Sequence, residues 1–183
     1  MLNKKQALEL IANSLGDGMG IIHEETIELP YGWVIYSQSK KFLETNNDAY
    51  AEFGHGPTLV EKDTGRLIEL DGYQPLEENL KCYELGYREH DNWEIIITKV
   101  DNHKKATRAI TDLGLTYVIP EEVHGVIWKI PIRYTEEQVS ESIKSLPCIF
   151  HIGRVYDYPV WPWLKLMEKQ GYFEYFLQEH RST

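Results

Sequence analysis

The sequence predicts an α+β protein in two parts: an N-terminal helix plus antiparallel sheet domain, then a ferredoxin-like βαββαβ domain with a C-terminal helical tail. Three observations carry this. Apolar residues recur at helical spacing in several separate stretches, beginning with Leu8, Ile11, Ala12 and Leu15. Between them lie short runs rich in β-branched and aromatic residues, bounded by Gly, Pro and Asn. The polar junction Glu89-His90-Asp91-Asn92 divides the 183 residues into 1–88 and 92–183, each large enough to enclose a core.

The first helix starts after Asn3, with Gln6 placed to complete a capping box, and Gly16 ends it. Strands are expected over 21–29 and 33–39. Residues 40–53 read as a polar, irregular connection with a turn at Asn46-Asn47-Asp48. A hairpin over 57–70 turns at Lys62-Asp63-Thr64-Gly65, where glycine suits positive φ. Pro75 opens a second helix bearing Leu76, Leu80, Tyr83 and Tyr87 at helical spacing.

In the second part, residues 93–100 form a buried strand, and Asp101 caps a helix with Ala106, Ala109, Ile110 and Leu113 on one face. Strands follow at 115–119 and 126–132, separated by a loop over 120–125. Thr135 and Gln138 make a capping box for a helix presenting Val139, Ile143 and Leu146, stopped by Pro147. A last strand spans 149–156. The order β-α-β-β-α-β is the split pattern. The aromatic tail from Tyr158 to Trp163 leads into one or two helices over 164–178, whose Trp163, Leu164, Met167, Phe173, Phe176 and Leu177 need cover, either within the fold or from a partner.

The formal charge is −10, from 19 basic and 29 acidic residues. Residues 1–88 hold 8 and 15 of these, a net of −7, and the remainder 11 and 14, a net of −3. Such a surface repels phosphates, so nucleic acid is not the expected ligand, whereas a basic protein is. Cys82 and Cys148 lack metal or redox spacing and read as packing residues of a reducing compartment. The N-terminus reads as an amphipathic helix and not a signal peptide, and no apolar run is long enough to span a membrane. A cytoplasmic location follows as the expectation.

Catalytic or metal chemistry has little purchase. The seven histidines include no HExxH and no i, i+4 helical pair. His23 and His90 lie beside carboxylates in runs that read as solvated surface. Gly16-x-Gly18-x-Gly20 has a helix before it and a strand after it, the reverse of a phosphate loop. Glu121, Glu122 and His124 form the most enzyme-like cluster, on an expected loop. No cofactor, no metal and no enzyme activity are expected.

One motif set says more. Pro30-Tyr31-Gly32-Trp33 opens an aromatic strand through Tyr36 to Gln38-Ser39; Gly54-His55-Gly56-Pro57 follows, then Val60 and Lys62-Asp63-Thr64-Gly65. In this order and spacing, over about residues 3–88, the chain resembles the immunity protein 35 domain family. The resemblance implies a small bacterial protein that binds and neutralises a polymorphic toxin by protein–protein contact. Pro30, Tyr31, Gly32, Trp33, Gly56, Pro57 and Gly65 read as fold-forming, with Gly32 supplying an unusual backbone angle and Trp33 and Tyr36 on opposite faces. The expected contact is the polar stretch Glu44, Asp48, Tyr50, Glu52 and His55, acidic groups around an aromatic anchor, facing a basic toxin domain. Two alternatives stand beside it. One is a structural or chaperone-like module that forms a homodimer through the aromatic tail. The other is an enzyme of unrecognised type using Glu121, Glu122 and His124.

Overall fold

The computed structural model describes residues 1–157 and 159–180, and the chain divides into two compact units, Met1–Leu80 and Lys81–Thr183. The expected boundary at residue 88 lies beyond this division, because Cys82 and Tyr87 pack with the core of the second unit.

In the first unit, α1 (Lys4–Ser14) begins with the reciprocal capping expected of Asn3 and Gln6, each side chain accepting from the other's backbone N–H at 3.0 Å. β1 (Met19–Glu28), β2 (Gly32–Ser39), β3 (His55–Glu61) and β4 (Leu67–Asp71) form an antiparallel sheet in sequence order. Ala7 and Ile11 of α1 pack on Trp33 and Ile35 of β2 and Val60 of β3. Trp33 is buried and its indole N–H donates to the Leu2 carbonyl at 3.3 Å, while Tyr36 is half-buried. The two side chains thus differ in exposure, as their odd separation requires.

Gly32 departs from expectation. Its φ is not in the left-handed region; instead a Cβ there would lie 2.6 Å from Leu59 Cδ1 and 2.8 Å from the Val60 carbonyl oxygen. Glycine is needed at this position because β3 approaches closely, a cause that a single strand's sequence does not display. Gly65 does adopt φ +73° at the hairpin tip.

The stretch expected to be irregular contains α2 (Lys40–Thr45), capped by Ser39 Oγ accepting from the Phe42 N–H at 3.1 Å, and a 3-10 turn at Asp48–Tyr50. Its pattern is too short to register as periodic, and its cap is also the last residue of a strand. α3 (Leu76–Glu84) is tied to β4 by Asn79, whose amide accepts from the Asp71 N–H and donates to the Asp71 carbonyl, both at 2.9 Å.

The second unit contains β5 (Trp93–Val100), α4 (His103–Asp112), β6 (Thr116–Val123), β7 (Val126–Arg133), α5 (Glu136–Ser142), β8 (Cys148–Gly153), α6 (Val160–Gln170) and β9 (Phe173–Glu179). The α+β class and the β-α-β-β-α-β order hold. β8 and β9 pair antiparallel to the two edges of β5, and β6 with β7 forms a separate two-stranded ribbon. Ile95, Ile97, Ala106, Ile110, Val139, Phe150 and Leu164 are buried together.

Three details correct the sequence reading. Asn102 and not Asp101 caps α4, accepting from the Lys105 N–H at 3.0 Å, while Asp101 pairs with Lys99 at 3.1 Å. The expected loop over 120–125 is mostly strand, with the turn confined to His124 (φ 54°) and Gly125 (φ 78°). The tail is a helix only to Gln170. Gly171 at φ +59° ends it, and 173–179 is a strand whose Phe173, Tyr175 and Leu177 pack with the core. Phe173, Phe176 and Leu177 also fit helical spacing, which is why the two periods compete there. Of the tail residues that need cover, Leu164, Met167 and Phe173 are buried and Trp163 and Leu177 half-buried within the fold, whereas Phe176 is 49% exposed on β9. Tyr158 lies outside the described residues.

Candidate partner-binding face

Glu44 and Asp48 are exposed on α2 and on the 3-10 turn that follows it. Tyr50 ends that turn with its ring under Lys41, whose Nζ lies 3.9 Å from the ring centroid. This cation within the acidic stretch was not anticipated. Glu52 is held by its backbone: its N–H donates to Gln38 Oε1 at 2.7 Å and its carbonyl accepts from Gln38 Nε2 at 3.0 Å. Ser39 Oγ donates to the Tyr50 carbonyl. His55 enters β3, with Nε2 3.1 Å from the Ser37 carbonyl oxygen.

The connection from β2 to β3 is therefore fastened at its far end to the strand from which it departs. Gln38 and Ser39, the last polar residues of the aromatic strand, act as the clasp. All five expected residues lie on this one connection and its exit. The clasp fixes the backbone of Tyr50 and Glu52 while leaving the side chains of Glu44, Asp48 and Glu52 in solvent. A surface with little left to order on binding loses less entropy when a partner arrives.

Sequence reasoning missed two aromatic residues. Phe53 is 86% exposed, directly after Glu52, and Tyr73 is 75% exposed. A Cβ built on Gly54 would lie 3.0 Å from the Tyr73 hydroxyl, so Tyr73 flanks the Gly54 backbone that joins Glu52–Phe53 to His55. An apolar ring between an acidic residue and a glycine was the available signal for Phe53. Tyr73, distant in sequence, had none.

A groove of about 670 Å³ is lined by Leu8, Ala12, Leu15 and Ile21 and by the charged Lys4, Lys5, Glu9 and Lys40. The lysines are three of the six basic residues among 1–80. Lys40 is steadied by donating to the Asp17 carbonyl at 2.7 Å. The unit thus carries an acidic, aromatic stretch and an apolar groove whose lining has more lysines than carboxylates.

In the second unit the most enzyme-like cluster of the sequence does not converge. Glu121 and Glu122 are neighbours on β6 and point to opposite faces, and His124 occupies the turn. Cys82 and Cys148 are both buried and form no disulfide, and burial pushes the Cys148 thiol up. His180 Nδ1 lies 2.8 Å from Glu94 Oε1, with the His151 ring 5.4 Å from that of His180. Among the described residues no group of three His, Cys, Asp or Glu side chains is placed to hold a metal, and no helix is long and apolar enough to cross a membrane.

The family model for immunity protein 35 matches residues 4–81, and the second half matches no family model. The uncharacterized protein YrhB of Escherichia coli (strain K12) is 37% identical over 54 residues, 30% of this chain and 57% of YrhB. The chain therefore spans little more than half of that relative. No solved structure matches.

Proposed function

From an N-terminal half that matches the immunity protein 35 family, we propose that this is a bacterial immunity protein. It binds a cognate polymorphic toxin in the cytoplasm and neutralises it by occupying its surface, making and breaking no bond. The contact is the ridge Glu44, Asp48, Tyr50, Glu52 and His55, extended by Phe53 and Tyr73. The observation that carries this assignment is Phe53, an aromatic ring left almost wholly in water beside clasped acidic backbone. Exposed rings on a held backbone, ringed by charge, are what protein interfaces use as anchors. The acidic groups favour a basic toxin domain and speed its arrival by steering.

Growth protection tests the proposal. Cells expressing the toxin encoded beside this chain should survive when the chain is co-expressed. Protection should fail for Glu44→Lys/Asp48→Lys/Glu52→Lys and for Phe53→Ala, provided circular dichroism shows each variant folded. Protection that survives both changes would remove the ridge from the account. No protection by the native chain would remove the function.

A further inference from the structure

The ribbon formed by β6 and β7 is an exposed apolar feature that the immunity reading leaves unused. Its strands pair through eight matched positions from Thr116↔Arg133 to Val123↔Val126, an arm about 25 Å long at about 3.3 Å per residue. Its base is fixed to the second unit. Tyr117 packs on Tyr134 at 4.8 Å between centroids, Tyr134 meets the buried Phe150 at 5.3 Å, and Gln138 Nε2 donates to the Tyr117 hydroxyl at 3.2 Å. Beyond that base the arm stands in solvent: Val118 is 52%, Ile127 70% and Trp128 57% exposed.

The register sorts the arm into two faces, because directly opposed residues share a face. Tyr117, Ile119, Glu121, Trp128, Ile130 and Ile132 share the face whose base meets Tyr134. The other face carries Val118, Pro120 and Glu122 on β6, and Ile127, Lys129 and Pro131 on β7. It is exposed along the length of these six residues.

Two prolines restrict how that arm can be used. Pro131 has no N–H to give to Val118, so their pair is a non-hydrogen-bonded one, and Pro120:Lys129, two positions on, is of the same kind. The missing donors therefore lie on the two outer edges, one on each. Extension of the ribbon by another strand is obstructed on both sides, as natural edge strands arrange it. What remains to be covered is a face.

The charges point to what covers it. On this face β6 carries Glu122 and no Lys or Arg, and β7 carries Lys129 and Arg133 and no Asp or Glu; Glu121 belongs to the other face. A two-fold axis along the arm lays β6 of one copy over β7 of the other, acidic strand on basic strand, with apolar residues between. We propose that the β6–β7 arm is a homodimerisation element, stacking its Val118–Pro120–Ile127–Pro131 face on the same face of a second copy. Such an interface is isologous. The area offered, on the order of a few hundred Å² per copy, falls below the ~800 Å² per partner of a standard interface, so the dimer is a weak one. The surface belongs to the second unit and does not depend on the immunity reading.

Sedimentation of the full chain from about 1 μM to 1 mM tests this. The mass should rise with concentration from 21.4 kDa toward twice that. Ile127→Asp should weaken association at least tenfold. Glu122→Lys should weaken it too, and Glu122→Lys/Lys129→Glu should restore it, since the swap exchanges the signs of the two strands. Phe53→Ala should leave it unchanged. A second readout does not need a disruptive variant. Ile127→Cys adds an exposed thiol to a chain whose own two are buried, and its labelling by a maleimide should slow as concentration rises. A chain that stays monomeric, a dimer indifferent to Ile127→Asp, a charge swap without rescue, or a concentration-independent labelling rate would each overturn the proposal.

Discussion

Replacing Gln38 by alanine should loosen the ridge without unfolding the protein. The Gln38 amide closes the β2–β3 connection through two bonds to the Glu52 backbone, at 2.7 and 3.0 Å, and its Oε1 also accepts from the Ser39 N–H at 2.7 Å. The groups freed on Glu52 lie at the surface, where water can replace the lost partners, so each of those two bonds is worth about 1 kcal/mol net. The two bonds to Glu52 hold the far end of the connection, so losing them should lower the local opening free energy by about 2 kcal/mol. That corresponds to amide exchange about thirtyfold faster at Glu52 and its neighbours. Hydrogen exchange read residue by residue by NMR measures this directly. Val34, in the middle of β2 and fully buried, provides the internal control and should exchange as before. An unchanged rate at Glu52 would refute the clasp, and a rise shared equally by Val34 would show a global effect and refute its local character.

Three further outcomes follow from the same geometry. Asn79, 1% exposed, bridges both backbone groups of Asp71, so Asn79→Ala leaves the Asp71 N–H and carbonyl without that partner and should cost about 2 to 3 kcal/mol by urea unfolding; a loss under ~0.5 kcal/mol would contradict this. Gly32→Ala should cost about 1 to 3 kcal/mol by overpacking against β3, and Leu59→Ala should relieve part of it; strictly additive losses would rule out the close-approach cause. Burial holds His151 below its ordinary value of 6.5, the neighbouring His180 adds to this, and Glu94 opposes it. The unfolded chain then binds that proton more readily than the folded one, so stability is complete above pH 6.5 and declines as pH falls toward the lowered folded value. His151→Phe should flatten that acid decline, and an unaltered slope would count against the assignment.

Much of the fold was legible where a local rule sufficed. The capping boxes at Asn3 and Thr135 mark helix starts by chemistry contained in four residues. The buried strand at 93–100 declares itself by its isoleucines. The failures share another cause: the deciding partner is distant in sequence. Gly32 answers to Leu59 and Val60, which only strand pairing brings near. β9 answers to β5, some eighty residues earlier, and without that edge its spacing satisfies two periods at once. The ridge was half visible. The acidic and aromatic composition of 44–55 could be read directly, but the clasp by Gln38 and the approach of Tyr73 exist only once β2, β3 and β4 are aligned.

The central claim is that this chain blocks its target by occupying it. Titrating the purified chain into a fixed amount of the purified neighbouring toxin domain, while following the toxin's own activity, tests that most directly. Inhibition should grow in proportion to the chain added, be complete near molar equivalence, and reverse when the complex is dissociated and the toxin recovered. Complete inactivation by a small fraction of an equivalent, or toxin that stays inactive after separation, would mean that the chain alters its target chemically and would contradict the account.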